Sequence, residues 1–264
     1  MKRLLWAVYL MLGVGQALAE PAAGTILKEP KTGMEFVWVP SGCFNMGSND
    51  GERFEKPVHP VCVKGYWLGK YEVTQAQYQL VMGVNPSDSK GPTNPVDQVS
   101  WDEALIFTLA FGKATGVPAR LPTESEWEYA CRAGGLHGKY CGDGKPEELA
   151  WSGSNTGNTT SAVGKLRGNA WGLYDMSGNV WEWVQDCWNL NYNGAPQDGS
   201  AWLTGNCERR VARGGAWDVS GYHLVRAAKR GRGDHRYQLN VVGFRVAIGP
   251  KSSIRNSTAA PMFQ

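Results

Sequence analysis

Six cysteines constrain the fold of this 264-residue chain more than any other feature of its sequence. They fall into three sequence-local pairs, Cys43 with Cys62, Cys131 with Cys141 and Cys187 with Cys207. An even number of cysteines in an exported chain usually forms disulfides, so we expect these three bridges. The sequence alone leaves the other connectivities open, and a reactive thiol is the alternative for any one cysteine.

The N-terminus predicts export. Two basic residues precede an apolar run over 4–14, and Ala17 and Ala19 form a small-residue cleavage pattern, which predicts a signal peptide over 1–19. The run is too short for a membrane span, so no integral membrane segment is expected after cleavage. Removal of the signal lowers the formal net charge of +3 to about +1, a balance that does not indicate a nucleic-acid partner. We therefore expect a periplasmic or secreted protein, in a bacterium.

The composition is that of a globular protein, with 42% hydrophobic and 19% charged residues. The 34 glycines and 12 tryptophans predict an aromatic-rich fold of turns and short elements. A Pro/Ala/Lys-rich lead-in over 20–32 and a polar tail over 250–264 are predicted to be mobile, which leaves 33–249 as the folded domain.

Strand signals open this domain, and helix signals follow. The stretches "MEFVWVPSGCFNMGS" and "PVCVKGYWLGKYEVT" alternate apolar and polar residues around turn signals and predict β-hairpins. Three residues with helix-capping side chains then predict three helices. They are Thr74 before 75–82, Ser100 before 101–111 and Thr123 before 124–132. No further helix is predicted after Gly134, and this order of elements favours an α+β fold.

Seven stretches of the chain together resemble one family. They are "VPSGCFNMGS", "EKPVHPVCVKGYWLGKYEVTQAQY", "NPVDQVSWDEA", "RLPTESEWEYACRAG", "GNAWGLYDMSGNVWEW", "RVARGGAW" and "VVGFRVA". Over about 33–249 the chain is similar to the formylglycine-generating enzyme (sulfatase-modifying factor) domain. The resemblance implies a variant of the C-type-lectin-like fold with little regular structure. The best-known members are copper-dependent oxidases that convert a sulfatase cysteine to formylglycine, and relatives include exported proteins of pyoverdine-type siderophore maturation and binding domains.

The stretch "GLYDMSGNVWEW" is the candidate metal site. Asp175 and Glu182 supply carboxylates, and the carbonyls of Gly178 and Val180 have a spacing that could complete an oxygen cage for Ca²⁺. The matching positions of the resembled family hold calcium. The alternative is that both carboxylates are hydrogen-bonded turn residues without an ion.

A copper site is not expected. In the resembled family two cysteines follow the "RGGSW"-type stretch, the first of them two residues beyond the tryptophan. Val219 occupies that first position here, and Cys207 is the last cysteine of the chain. Because Cu(I) prefers thiolate ligands, formylglycine generation by the family's mechanism is not expected.

The stretch "RGGAWDVSGYHLVRAAKR" still supplies candidates for an inherited groove. They are Trp217, Asp218, Ser220, Tyr222 and His223. A hydrolase triad of Asp218, Ser220 and His223 would crowd three members into six positions, so the sequence favours ordinary surface-loop residues. An iron site formed by His223, His235 and Asp234 lacks the short ligand spacing of metal-binding histidines.

Six arginines are concentrated in the C-terminal part of the chain. They are Arg213, Arg226, Arg230, Arg232, Arg236 and Arg245. One interpretation is a basic groove for an acidic or peptide ligand, and the other is inward pairing with carboxylates such as Glu126 and Glu128. Arg213 and Arg245 are expected to be structural, because they lie within stretches that define the resembled fold.

The sequence thus favours an exported protein that acts in maturation or escort of another protein or peptide, without the copper and cysteine site. A non-catalytic C-type-lectin-like binding domain is the alternative, and a formylglycine-generating oxidase is the second alternative.

Overall fold

A computed structural model describes residues 20–136 and 138–249 of the chain. The predicted signal peptide and the predicted C-terminal tail lie outside these residues. Within the described ranges, none of the helices combines the length and the apolar character that crossing a bilayer requires.

Three of the four helices begin at the predicted caps. The helices are α1 (Gln75–Met82), α2 (Trp101–Thr115), α3 (Glu124–Cys131) and the short α4 (Pro146–Leu149). Each cap hydroxyl of α1, α2 and α3 accepts a hydrogen bond from the third helical N–H, and the third side chain returns a bond to the cap N–H. Helix α2 extends one turn beyond the prediction, to Thr115, and Gly116 is its C-cap. Helix α4 contradicts the expectation of no helix after Gly134; its start depends on Pro146 at the first position, without a side-chain cap.

Short strands form two main sheets and two small pairs. The strands are β1 (Ile26–Lys28), β2 (Glu35–Val39), β3 (Gly42–Met46), β4 (His59–Val63), β5 (Tyr66–Gly69), β6 (Ala119–Arg120), β7 (Ala150–Trp151), β8 (Ser177–Gly178), β9 (Trp181–Trp188), β10 (Asn206–Arg213), β11 (Arg230–Asp234), β12 (Val242–Gly243) and β13 (Ala247–Ile248). One sheet has the order β1-β2-β5-β13-β6 and the other β11-β10-β9-β12, while β3 pairs with β4 and β7 with β8. Helices and strands are largely segregated along the chain, which confirms the α+β class.

Two sequence-based expectations about the N-terminal part are wrong. The lead-in over 20–32 contains β1, which pairs antiparallel with β2, so the fold begins before residue 33. The strands on either side of the "PSG" turn do not form a hairpin with each other: β2 pairs with β5, and β3 pairs with β4. With these pairings, Val37 and Leu68 from the β2–β5 pair pack in the same core as Phe44 and Val61 from the β3–β4 pair.

Helix α3 lies at the centre of the molecule, buried on every side. It packs against β3, β4, β9 and β10. Its three glutamates are each paired with an arginine, Glu124 with Arg230, Glu126 with Arg120 and Glu128 with Arg213 and Arg132. Each of these ion pairs offsets part of the cost of burying a carboxylate inside the protein.

All three expected disulfides are present. Cys43 and Cys62 lie opposite each other on β3 and β4, Cys131 and Cys141 join the end of α3 to the following loop, and Cys187 and Cys207 join β9 to β10. Three bridges are compatible with an exported protein.

Candidate functional site

The loop that follows β10 is fixed by its tryptophan. Trp217 is half-buried; its backbone N–H donates to the Asn179 carbonyl at 2.9 Å, and its indole Nε1 donates to the Asn240 carbonyl at 3.0 Å. Beyond it, a 3-10 turn over Tyr222–Leu224 returns the chain toward the core. We call residues 217–223 the tryptophan loop.

Val219, in the middle of this loop, is buried. It packs with Ala150 and Val225 in a small apolar cluster, and its carbonyl accepts from the Gly153 N–H at 3.1 Å. Tyr222 lies against the same cluster. Val219, at which the resemblance led us to expect a residue other than a copper-binding cysteine, is therefore part of an apolar contact.

The polar residues of the tryptophan loop point toward solvent. Asp218, Ser220 and His223 are exposed, and among the described residues no hydrogen bond joins any two of them. Partial burial raises the pKa of Asp218 above its ordinary value. Because a nucleophile, base and orienting acid must be in hydrogen-bond contact, these three residues do not form a hydrolase triad.

The cysteines of this chain are held as cystines. All six belong to the described residues and are bonded in the three disulfides, so this part of the chain contains no free thiol. The structure also shows, within 20–136 and 138–249, no group of three or more His, Cys, Asp or Glu side chains placed to hold a metal ion. His235 instead contacts Asp102 at 2.7 Å, and Asp234 pairs with Arg236.

The calcium candidates lie at the junction of β8 and β9. Asp175 is buried; its Oδ2 accepts from the Gly164 N–H at 2.6 Å, while its Oδ1 has no hydrogen-bond partner among the described residues. Burial, with Glu182 nearby, raises the pKa of Asp175 to about 6. Gly178 has a φ of +83°, and a Cβ there would overlap the Trp151 carbonyl oxygen, so only glycine fits this crossing.

Glu182 is fully engaged by protein groups. Arg245 donates to both of its oxygens, at 2.6 and 2.7 Å, and the Trp127 indole donates at 2.8 Å. Both Glu182 and Arg245 are completely buried. Glu182 therefore has a structural role as the partner of Arg245, whether or not it also contacts an ion.

A third carboxylate in this region, that of Glu72, was not among the candidates predicted from the sequence. Glu72 is buried and accepts from the Asn179 side chain at 2.7 Å and from the Val180 N–H at 3.1 Å. Burial and the nearby Asp175 and Glu182 raise the pKa of Glu72 well above its ordinary value. The available signal was a glutamate between apolar residues in "YEVT". Three buried carboxylates thus share one buried arginine, Arg245.

The C-terminal arginines divide into two groups. Arg213, Arg226, Arg230 and Arg245 point inward to carboxylates, as expected for Arg213 and Arg245. The expected partner Glu128 is correct for Arg213, whereas Glu126 pairs with Arg120. Arg232 and Arg236 are exposed, and Arg236 pairs with Asp234.

Two cavities lie away from the tryptophan loop. One of about 680 Å³ is lined by Trp38, Trp67, Val117 and Ile248 among others. The second, of about 470 Å³, is lined by Trp188, Asn189, Leu190, Asn206, Arg209 and Arg232. Neither includes a residue of the tryptophan loop.

Comparison with known proteins gives consistent matches across this fold. A family profile described as the sulfatase-modifying factor enzyme 1-like domain matches residues 22–250. The chaperone protein LppX of Paenibacillus barcinonensis is 28% identical over 87% of this chain and 93% of its own. The formylglycine-generating enzyme of Mus musculus is 28% identical over 81% of this chain and 74% of its own. The structure of PvdO from Pseudomonas aeruginosa matches with a TM-score of 0.77 and 32% identity, over 88% of this chain and 100% of that one. The structural match supports the C-type-lectin-like variant expected from the sequence.

Proposed function

This chain belongs to the sulfatase-modifying factor enzyme 1-like family, and from that premise we propose that it is an exported factor for the maturation or escort of another protein or peptide. In this proposal it acts without copper and without cysteine oxidation. The observation that carries the proposal is the buried Val219 in a loop that has no thiol, while all six cysteines are committed to disulfides.

The relatives support a protein or peptide as the partner. LppX, which matches along 93% of its length, is named a chaperone protein. The tryptophan loop offers the exposed Asp218, Ser220 and His223 on a backbone anchored at Trp217. An anchored loop with exposed polar side chains can bind a partner without much loss of conformational entropy.

A site-specific crosslinking experiment tests the partner. A photo-crosslinking residue is placed at His223 in the exported protein and, as the matched control, at the exposed Leu109 on α2. We expect one discrete crosslinked species from position 223 and none from position 109. Equal patterns at both positions, or none at either, would contradict a partner at this loop.

A second measurement separates escort from simple binding and from oxidation. Escort predicts that the crosslinked partner accumulates in lower yield when this chain is deleted, whereas unchanged yield would indicate a binding domain. The purified protein is also tested for bound copper and for oxygen uptake with a cysteine-containing sulfatase peptide. Stoichiometric copper with oxygen uptake would overturn the proposal in favour of an oxidase.

We also propose a structural calcium ion at Asp175. The support is the buried Asp175 Oδ1, which has no hydrogen-bond partner in the described chain, and the excess of buried carboxylates over guanidinium groups around it. Asp175 would supply the free carboxylate oxygen, with carbonyls of Gly178 and Val180 as further ligands; Glu182 would have to share its oxygens with Arg245. Calcium would supply positive charge there and would stabilise the fold.

Thermal unfolding in calcium or in chelator tests this site. We expect calcium to raise the melting temperature of the wild type, because an ion bound only by the folded state stabilises it. Asp175→Asn should abolish this increase, whereas Asp143→Asn, at an exposed position, should preserve it. An increase of the same size in Asp175→Asn would show that calcium binds at another site.

A further inference from the structure

The 470 Å³ cavity lies where three strands of one sheet come together. Trp188 at the end of β9 is almost fully buried, and Arg209 on β10 and Arg232 on β11 are exposed in the same cavity. We call this cavity, lined by Trp188, Asn189, Leu190, Asn206, Arg209 and Arg232, the arginine cleft. Its volume is in the range of cavities that hold small molecules.

The aromatic residues beneath the cleft orient Arg232. The Arg232 guanidinium lies 4.7 Å from the ring centre of Trp188 and 5.2 Å from that of Phe54. The face of an aromatic ring attracts a guanidinium group without accepting a conventional hydrogen bond from its N–H donors. In the described part of the chain, no group accepts a hydrogen bond from the Arg232 side chain. Its N–H donors are therefore available to a ligand.

An irregularity in the sheet immediately precedes the pairing of Arg210 and lies at Arg209, which lines the same cavity as Arg232. Asn206 is opposite Trp188, but Arg210 is already opposite Cys187, so the three residues 207–209 have no counterparts on β9. Such bulges redirect side chains away from the regular alternation of a strand. The Cys187–Cys207 disulfide fixes the bulged segment to β9.

The two arginines of the cleft differ from three nearby arginines in having no ion-pair partner among the described residues. Arg226 pairs with Glu55, Arg230 with Glu124 and Arg236 with Asp234. Glu208, the acidic residue next to Arg209, faces His235 and Arg236 at 3.7 and 3.9 Å. Among the residues that the structure describes, neither Arg209 nor Arg232 has a carboxylate partner.

We propose that the arginine cleft binds a small ligand carrying a doubly charged oxyanion group, either a phosphate monoester or a pair of carboxylates. Two guanidinium groups in one cavity provide paired N–H donors and two positive charges, which match two negative charges better than one. The Asn206 side chain adds an amide at the rim. Trp188 is too buried to stack on a ligand, so recognition depends on the oxyanion.

Isothermal titration of the full exported chain, with disulfides intact, tests this site. The probes are inorganic phosphate and succinate, compared with sodium chloride at equal ionic strength. We expect phosphate or succinate to bind saturably, and Arg232→Gln and Arg209→Gln each to weaken binding by about ten-fold or more. Binding of phosphate alone identifies a phosphate ligand, and binding of succinate alone identifies a dicarboxylate.

Arg236→Gln is the matched control, because Arg236 is also an exposed arginine near β11 but is already paired with Asp234. Its affinity should stay within about two-fold of wild type. Near-ultraviolet circular dichroism verifies the fold of each variant, and Arg209→Gln decides the result if Arg232→Gln does not fold. No binding beyond that of chloride, or equal losses in Arg236→Gln and both cleft variants, would overturn the proposal.

Discussion

At the residue scale, buried arginines and carboxylates of the interior form ion pairs with each other. Arg213 is fully buried; it pairs with Glu128 and also donates to the carbonyls of Ala227, Ala228 and Lys229. Burial would raise the pKa of Glu128, but Arg213 and Arg132 beside it lower that pKa below the ordinary value. The Glu128 carboxylate therefore stays ionised in the centre of the protein. The stability of the folded protein is expected to depend on the two arginines that compensate this charge.

Replacing the guanidinium group tests this dependence. Arg213→Met keeps an apolar side chain but leaves Glu128 with less compensation and three carbonyls without their donor. We expect a loss of about 3–5 kcal/mol in the free energy of unfolding, measured in urea. Arg167→Met, which breaks the half-exposed pair with Glu148, should cost less than about 1 kcal/mol. Equal costs for the two variants would contradict the role assigned to the buried pair.

A second buried carboxylate predicts a pH dependence. Burial, and then the nearby Glu124, raises the pKa of Asp186 to about 7, from an ordinary value of 3.8. Between about pH 4 and 7 the folded state keeps a proton that the unfolded chain releases, so stability should fall as pH rises through this window and level off above it. One such group contributes at most about 1.4 kcal/mol per pH unit.

Urea unfolding from pH 4 to 8 measures this slope. Asp186→Asn should reduce it, whereas Asp143→Asn at an exposed position should not. Absolute stability is not the readout, because Asp186 accepts from the N–H groups of both Glu124 and Trp202, and asparagine has one acceptor oxygen for the two donors. An unchanged slope in Asp186→Asn would show that another group titrates in this range.

At the element scale, local chemistry sets where helices begin and end, while distant contacts set strand pairing. The cap hydroxyls of Thr74, Ser100 and Thr123 lie within three residues of the N–H groups they accept from, so a sequence pattern can identify them. The partner of β2 is β5, about thirty residues away, and no local feature of "EFVWV" specifies it. The sequence therefore predicted the strands on both sides of "PSG" correctly, but the prediction that these strands pair with each other is wrong.

Two glycines of α2 test the local control of a helix end. Gly112 lies within the helix, where alanine is the better helix former, and a new Cβ would be 3.4 Å from the Val117 carbonyl oxygen. Gly116 ends the helix with a φ of +79°, a conformation that side chains disfavour. Gly112→Ala should stabilise the protein by about 0.5–1 kcal/mol, and Gly116→Ala should destabilise it by about 1 kcal/mol in urea unfolding. The same sign for both variants would contradict this account of the helix end.

At the scale of the whole molecule, short elements are joined by contacts between distant parts of the sequence. Arg226 and Glu55 are 171 positions apart, and Arg245 and Glu182 are 63 apart. The sequence left inward pairing and a basic groove as alternatives for the arginines, and it named Glu128 correctly as one inward partner. It did not assign Glu55, Glu124 or Glu182 as partners, because ion pairing depends on three-dimensional proximity. The basic-groove interpretation of the sequence included Arg232. It did not include Arg209, because only the folded sheet brings β9, β10 and β11 together around the arginine cleft.

Disulfides are covalent links between the short elements of a molecule with so little regular structure. The three bridges span 19, 10 and 20 positions, and loops of this size are expected to contribute about 2–4 kcal/mol each by restricting the unfolded chain. Strong reductant should therefore lower the melting temperature of the wild type markedly. A variant with all six cysteines replaced by alanine, if it folds, should melt at a lower temperature and show no response to reductant. A wild-type melting temperature that is unchanged once mass spectrometry shows full reduction would mean that the core and the buried ion pairs, rather than the bridges, hold the short elements together.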